Sequence, residues 1–299
     1  MSDTKHVYQS LAVNLAITAA KGVAAVFTGS GALLAETLHT ASDCANQLLL
    51  LLGINRAKKA PDDLHPLGYG RALYFWSFIV ALLLFSGGGV FSVYEGVHKF
   101  GAPEAVENVW LGLGILAFSL ALEGWALWGN VQEMKQRRGA EPLMSYLRTT
   151  KDSDLIVVFG ENAAAVLGLV LAMLAVVVSW QTHDGRWDAV GSILIGLVLI
   201  GVAIFLGTEV KSLLIGERAD PSIERSVRAR VEADANIEQL LKLISVQQGP
   251  GEVMVAMKVR LRDGLSGHAV VEAINDFEAS LKKERPDIRW CFVEPDHSA

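Results

Sequence analysis

ETLHTASD, residues 36–43, interrupts a stretch that is otherwise rich in alanine and leucine from Gly31 to Leu52. Without Glu36, His39 and Asp43 the segment would read as an ordinary membrane-spanning helix. Each ionisable group costs about 2–3 kcal/mol at the centre of such a helix on insertion scales, so three within eight residues require a reason. On a helix His39 and Asp43 are one turn apart and share a face. An imidazole and a carboxylate at that spacing supply nitrogen and oxygen donors suited to a divalent cation, Zn²⁺ in particular. The competing reading is a polar pair that hydrogen-bonds between helices.

The surrounding composition sets the context. The chain is 52% hydrophobic, and its mean hydropathy of +0.36 is too high for an ordinary soluble enzyme. A net charge of −6 argues against a nucleic-acid partner. Cys44 and Cys291 alone cannot form a disulfide framework. The polar start MSDTKHVYQS resembles neither a secretory signal nor a transit peptide, so the first apolar segment is expected to remain as an anchor.

Six stretches are long enough to cross a bilayer: 9–28, 31–54, 72–97, 108–131, 154–180 and 187–214. The FTGSG turn at 27–31 makes the first two a helical hairpin. The loop between spans 2 and 3 carries Arg56, Lys58, Lys59 and Arg71, and that between spans 4 and 5 carries Lys135, Arg137, Arg138, Arg148 and Lys151. The opposite side has Lys99 and Arg186. The positive-inside rule therefore puts both termini in the cytoplasm.

From Gly216 the composition becomes that of a folded tail. ERADPSIERSVRARVEADANIEQ, 217–239, reads as a helix with Asp220 before Pro221 as its cap. LLKLISVQQ and EVMVAMKVRL read as strands joined by a GPG turn, HAVVEAINDFEASLKKE as a helix and IRWCFVEP as a final strand. The order α-β-β-α-β predicts a small α+β domain of ferredoxin-like type, with helices on one face of an antiparallel sheet. The expected organisation is thus an all-α membrane bundle of six transmembrane helices over 1–215, followed by a cytoplasmic α+β domain over 216–299.

Other polar groups recur in the spans: Asn14, Lys21, Asn46, Gln47, Glu123, Glu161 and Asn162. Lys21 is a counter-charge for a carboxylate such as Glu36 or Glu123, while Asn14 and Gln47 read as interhelical hydrogen-bonding groups. Glu161 is the acid in the apolar part of span 5. In PDDLHPLGYGR, 61–71, Asp62, Asp63 and His65 form either a surface metal cluster or a solvated turn. No HExxH motif occurs, which removes the simplest metalloprotease reading.

Taken together, NLAITAAKGVAAVFTGSGALLAETLHTASDCANQ (14–47), HPLGYGR (65–71), WDAVGSILIGLVLIGVAIFLGTEVKSLLIGERAD (187–220) and WCFVEPD (290–296) resemble the cation diffusion facilitator family over nearly the whole chain. SDCANQLLLLLGI, LEGWAL and ENAAAVLGL are most similar to the branch of the ninth mammalian zinc transporter. The resemblance implies a homodimer in membrane lipid that exchanges Zn²⁺ or a related divalent cation for protons; a bacterial plasma membrane is the expected location, and no enzymatic chemistry is expected. Fe²⁺, Mn²⁺ and Co²⁺ are alternative substrates, and a non-transporting scaffold or receptor is the rival class. The resemblance implies a tetrahedral site from two residues of span 2 and two of span 5. His39 and Asp43 match the first pair. Alignment on Gly168 sets Val158 and Asn162 at the second pair, with Glu161 the nearest acid. Asp62 and His65 match a second, surface metal position, where Tyr69 replaces a histidine. Arg71 matches the basic partner of a charge pair between protomers. Lys242, Lys258 and Phe292 stand where metal-regulated relatives carry histidines, which implies a dimerising tail without its own metal.

Overall fold

A computed structural model of the chain describes residues 4–103, 108–139, 141–151 and 153–297, apart from the side chains of 4–13, 32, 36, 39, 148, 149 and 154. The chain forms two compact units. One comprises Met1–Gly53, Phe75–Leu147 and Ser153–Val210; the other comprises Ile54–Tyr74, Arg148–Asp152 and Lys211–Ala299.

The first unit is helical. Helices α1 (Thr4–Thr28) and α2 (Gly31–Ala57) form the hairpin, and α3 (Ala72–Leu83) runs through a π-helical stretch, Leu84–Val90, into α4 (Phe91–Gly101). They are followed by α5 (Val109–Arg138), the short α6 (Leu143–Thr149), α7 (Ser153–Thr182) and α8 (Arg186–Ile215). Among the described residues four helices are long and apolar enough to cross a membrane: Ala72–Gly101, Val109–Arg138, Leu155–Thr182 and Arg186–Ile215. A shorter apolar stretch covers Asn14–Thr28. At 27 residues α2 spans roughly 40 Å, enough to cross. Its polar residues, not its length, separate it from the four.

Large apolar side chains point outward around this unit, among them Val26, Trp110, Phe118 and Trp125. Such a surface suits lipid and would be a liability in water. Trp110 meets Trp180 edge-on at 5.5 Å, and Trp187 lies near the same helix ends, as in the aromatic belt of a membrane interface. Within the unit, glycine brings the α3–α4 span against α8. A Cβ on Gly196 would stand 2.7 Å from the Gly89 carbonyl oxygen, so the two backbones touch where no larger residue fits. The π-helical stretch puts Gly88 and Gly89 on this seam, while Gly87 faces Ser42 of α2.

The tail contains α9 (Pro221–Glu232), β1 (Ile237–Gly249), β2 (Glu252–Leu261), α10 (Gly267–Glu284) and β3 (Ile288–Pro295). The Asp220 carboxylate accepts from Ser222 N–H at 2.7 Å with Pro221 at the first helical position, the cap expected from sequence. Ile223, Val227 and Val231 on α9 repeat every four residues, as do Phe277 and Leu281 on α10. They pack over Val253, Val255, Met257 and Val259 of β2, whose strict alternation marks a strand with one buried face.

Two expectations for the tail need correction. The helix assigned to 217–239 stops at Glu232, and Ile237 already belongs to β1. The sheet, in order β1-β2-β3, is mixed: β1 is antiparallel to β2, whereas β3 is parallel to it. A strand reached through a crossover helix returns in the same direction, and α10 is that helix.

The second unit also holds the loop before α3. A Cβ on Gly249, in the β1–β2 turn, would lie 2.7 Å from the Gly70 Cα, and one on Gly70 would lie 2.7 Å from the Gln248 carbonyl oxygen. Lys151 pairs with Glu217 at 2.6 Å, and Gln247 N–H donates to the Glu217 carbonyl at 3.0 Å. Gly249→Ala is therefore expected to force this backbone contact apart, at a cost of about 1–3 kcal/mol. Faster tryptic cleavage after Lys58 or Lys59 and a lower thermal midpoint in detergent are the expected readouts; an unchanged cleavage rate would show that the contact is not tight.

Candidate metal centre

The polar face of α2 meets α7. Ser30 caps α2, its Oγ accepting from Leu33 N–H at 3.1 Å. Three and a half turns further on, Asp43 is buried and Asn46 is fully enclosed. Asn46 Nδ2 donates to Glu161 Oε1 across the helices at 2.6 Å. Glu161 is buried, whereas Asn162 is half-buried and Val158 is 36% exposed. Helix α7 thus directs its acid, and not its valine, toward α2.

Further charge surrounds this contact. Helix α5 packs along α7 and against α1. Its Glu123 lies within electrostatic range of both Lys21 and Glu161. Lys21 is fully buried on α1 and donates to Thr40 Oγ1 of α2 at 2.9 Å. The suggested Lys21–Glu123 attraction is present, together with a lysine–threonine bond that sequence reading missed. Fully ionised, Asp43, Glu123 and Glu161 against Lys21 leave two negative charges, which one divalent cation balances. Among the described residues, Asn46 Oδ1 and Gln47 Oε1 are buried acceptors without a hydrogen bond. Such orphaned oxygens are what an incoming cation or water satisfies.

His39 lies on α2 one turn before Asp43; its side chain and that of Glu36 fall outside the described residues. Among the described residues no three His, Cys, Asp or Glu side chains converge on one point. The structure brings Asn46 and Glu161 together across α2 and α7, with Asp43 buried about one turn before Asn46 on α2. Asn46 was legible only as one more polar residue in an apolar span, because nothing in its spacing names its partner.

The surface loop is a closed turn. Asp62 accepts from Lys59 Nζ and Tyr69 Oη, each at 2.7 Å, and from His65 N–H at 2.9 Å. His65 Nδ1 is 3.4 Å from the same carboxylate, and its ring lies over Tyr69 with centroids 4.1 Å apart. The Lys59 ammonium, then the Tyr69 hydroxyl, hold the Asp62 carboxyl well below the usual carboxylate range. With the native value depressed, the stabilising contribution is present above the ordinary carboxylate pKa and is lost only as pH falls below it. A metal at Asp62 would have to displace Lys59. Arg71 Nε is buried without a hydrogen bond among the described residues, and the guanidinium lies 3.2 Å from where a Cβ on Gly216 would stand. On the central strand β2, Lys258 pairs with Glu294 at 3.2 Å and Asp296 at 2.8 Å, filling that acidic corner with its own cation.

A helical, membrane-type domain with a polar contact between two of its helices, followed by a small three-stranded domain, defines a class of integral membrane proteins. The profile of the cation efflux transmembrane domain matches residues 7–215. The chain is an integral membrane protein and belongs to this family, the cation diffusion facilitators. It is 31% identical over 226 residues to metal tolerance protein C4 of Arabidopsis thaliana, covering 75% of this chain and 50% of that protein. The mitochondrial proton-coupled zinc antiporter SLC30A9 of Xenopus laevis is 31% identical over 241 residues, 80% of this chain and 43% of its own length. For the Homo sapiens counterpart the figures are 28% over 265 residues, 88% and 46%. The chain spans about half the length of these relatives or less.

Replacing Asn46 by Leu removes the donor to Glu161 and leaves the carboxylate aimed at an apolar group. Groups that orient a ligand are worth about 10–100-fold in metal affinity, so titration calorimetry of the purified protein should show zinc binding at least tenfold weaker. Wild-type affinity in Asn46→Leu would remove Asn46 from the site.

Proposed function

We propose that the chain transports divalent cations, Zn²⁺ foremost, across a membrane in exchange for protons, using a site on the α2–α7 seam. The observation that carries this reading is Glu161: a buried acid on an apolar helix, hydrogen-bonded at 2.6 Å to Asn46 of α2. An unpaired buried carboxylate is costly, and a cation that arrives and leaves makes it tolerable. In this reading His39 and Asp43 are the α2 ligands and Glu161 is the charged ligand from α7. Asn162 contributes a carbonyl oxygen or orients a water. The family and the named zinc antiporters among its relatives support the same substrate class.

Proton coupling follows from the ligands. Metal requires neutral imidazole and ionised carboxylate, so protons and metal compete for the same groups. A site facing an acidic compartment takes protons and releases metal, and alternating access converts that competition into antiport. Residues 1–215 form the transport domain in this account, with α1 and α2 completing six spans and both termini cytoplasmic.

Residues 216–299 serve as a homodimer contact. Ile244, Ala256 and Phe292 lie side by side across the sheet on the face opposite α9 and α10. Ile244 and Phe292 are 46% and 55% exposed. An apolar row on an open sheet face favours burial against a second copy. The Lys258–Glu294–Asp296 cluster at its end makes metal unnecessary there. In this scheme Arg71 supports the protomer contact nearer the membrane, and Asp62 and His65 stabilise a turn.

Purified protein in liposomes with an imposed pH gradient, given Zn²⁺, Fe²⁺, Mn²⁺ and Co²⁺ in turn, tests the reading. Metal-dependent proton flux is expected, strongest with Zn²⁺. Glu161→Gln should reduce zinc affinity and flux sharply, whereas Asn162→Ala should cost less. No flux with any metal would overturn transport, and the reverse order of the two variants would make Asn162 the ligand and Glu161 a proton carrier.

A further inference from the structure

At the start of α2, the FTGSG turn is held from three sides. Lys99 of α4 donates from Nζ to the Gly29 carbonyl. Asn108, at the start of α5, donates to the Phe27 carbonyl at 3.0 Å. Asp188, in the first turn of α8, takes the rest: Oδ1 accepts from Ser30 Oγ at 2.6 Å and Oδ2 from Gly31 N–H at 2.5 Å. Ser30 is 1% exposed and Asp188 2%.

This is a carboxylate from one helix capping another. Ser30 already serves as the N-cap of α2, and Asp188 engages that cap and the first helical N–H together. Its negative charge lies at the positive end of the α2 dipole. Gly31 is needed there: a Cβ would stand 2.8 Å from Lys99 Cδ, 3.0 Å from Ser192 Oγ and 3.3 Å from Asp188 Oδ2. The fit tolerates little movement of α2 relative to α8.

Helix α2 runs unbroken from Gly31 to Ala57, so displacement at its start is transmitted roughly 20 Å along the axis to Asp43 and Asn46. Resting on the transport reading above, we infer that Asp188 is a positioning residue that latches α2 to α8, and that the latch opens when the site changes the side it faces. The latch makes no contact with the metal. It sets which orientation of α2 predominates.

Cys44 supplies the readout. It adjoins Asp43, is buried, and lies 3.8 Å from Thr18 Oγ1 across the α1–α2 seam. With Cys291 replaced by serine it is the sole cysteine of the full chain. In proteoliposomes a membrane-impermeant maleimide added to the side bearing the FTGSG turn is expected to label Cys44 about tenfold faster in Asp188→Asn than in wild type, the scale of a lost charge-assisted hydrogen bond. Asp188→Glu, which keeps the charge, should fall between them. Zinc affinity by calorimetry should stay within twofold, and saturated flux should change with KM unaltered. Unchanged Cys44 labelling, or equal acceleration from both sides with a loss of zinc affinity, overturns the latch and leaves Asp188 a folding residue. If Asp188→Asn does not fold, Ser30→Ala, which deletes one of the two bonds to Asp188 together with the Leu33 cap bond, is read in its place, and labelling at the wild-type rate overturns the proposal. Zinc-driven proton flux of wild type in the same vesicles judges the transport reading separately.

Discussion

A carboxylate cannot stay ionised and unaccompanied in an apolar helix bundle, and Glu161 on α7 is the group on which that constraint falls hardest. The amide of Asn46 meets it from α2, Glu123 sets a second acid nearby on α5, and Lys21 brings one positive charge from α1. Four helices are thereby tied to one electrostatic problem that protein groups only partly solve. The remaining negative charge is the physical basis for reading the seam as a cation site. It also explains why α2 carries polarity that would otherwise weaken its place in a membrane.

The two ends of the helices are handled differently. At the FTGSG turn, α2 is fixed by a buried carboxylate and two hydrogen bonds from its first residues. Directional contacts of this kind are either made or broken. Along α8 the α3–α4 span packs through glycine, where contact depends on shape alone. Such a surface permits close approach without fixing one arrangement by charge. Toward the tail, the loop before α3 touches the β1–β2 turn through Gly70 and Gly249, again backbone against backbone.

Much of the architecture was legible because membrane spans and amphipathic strands leave strong patterns. The hairpin turn at 27–31, the helices around it, and strands β2 and β3 follow from apolar length, glycine and alternation. The end of α9 was not, because the charged run through Asn236 and Gln239 suits a helix locally and pairing with β2 overrides it. The direction of β3 depends on the crossover, which alternation does not encode. At the site, Asp43 and Glu161 stood out as acids in apolar surroundings. Asn46 and Asp188 did not, since their roles are set by partners 115 and 157–158 residues away. The α6 helix is a single short stretch in a basic loop, too brief for a periodic signal.

The central claim is that the transported ion is held by nitrogen and oxygen donors of α2 and α7. X-ray absorption at the zinc edge of the purified, zinc-loaded protein tests it most directly. The account predicts a first shell of light scatterers near 2.0–2.1 Å with an imidazole signature, altered in Glu161→Gln. A sulfur scatterer at about 2.3 Å, which would bring Cys44 into the shell, or a shell identical in wild type and Glu161→Gln, would contradict it.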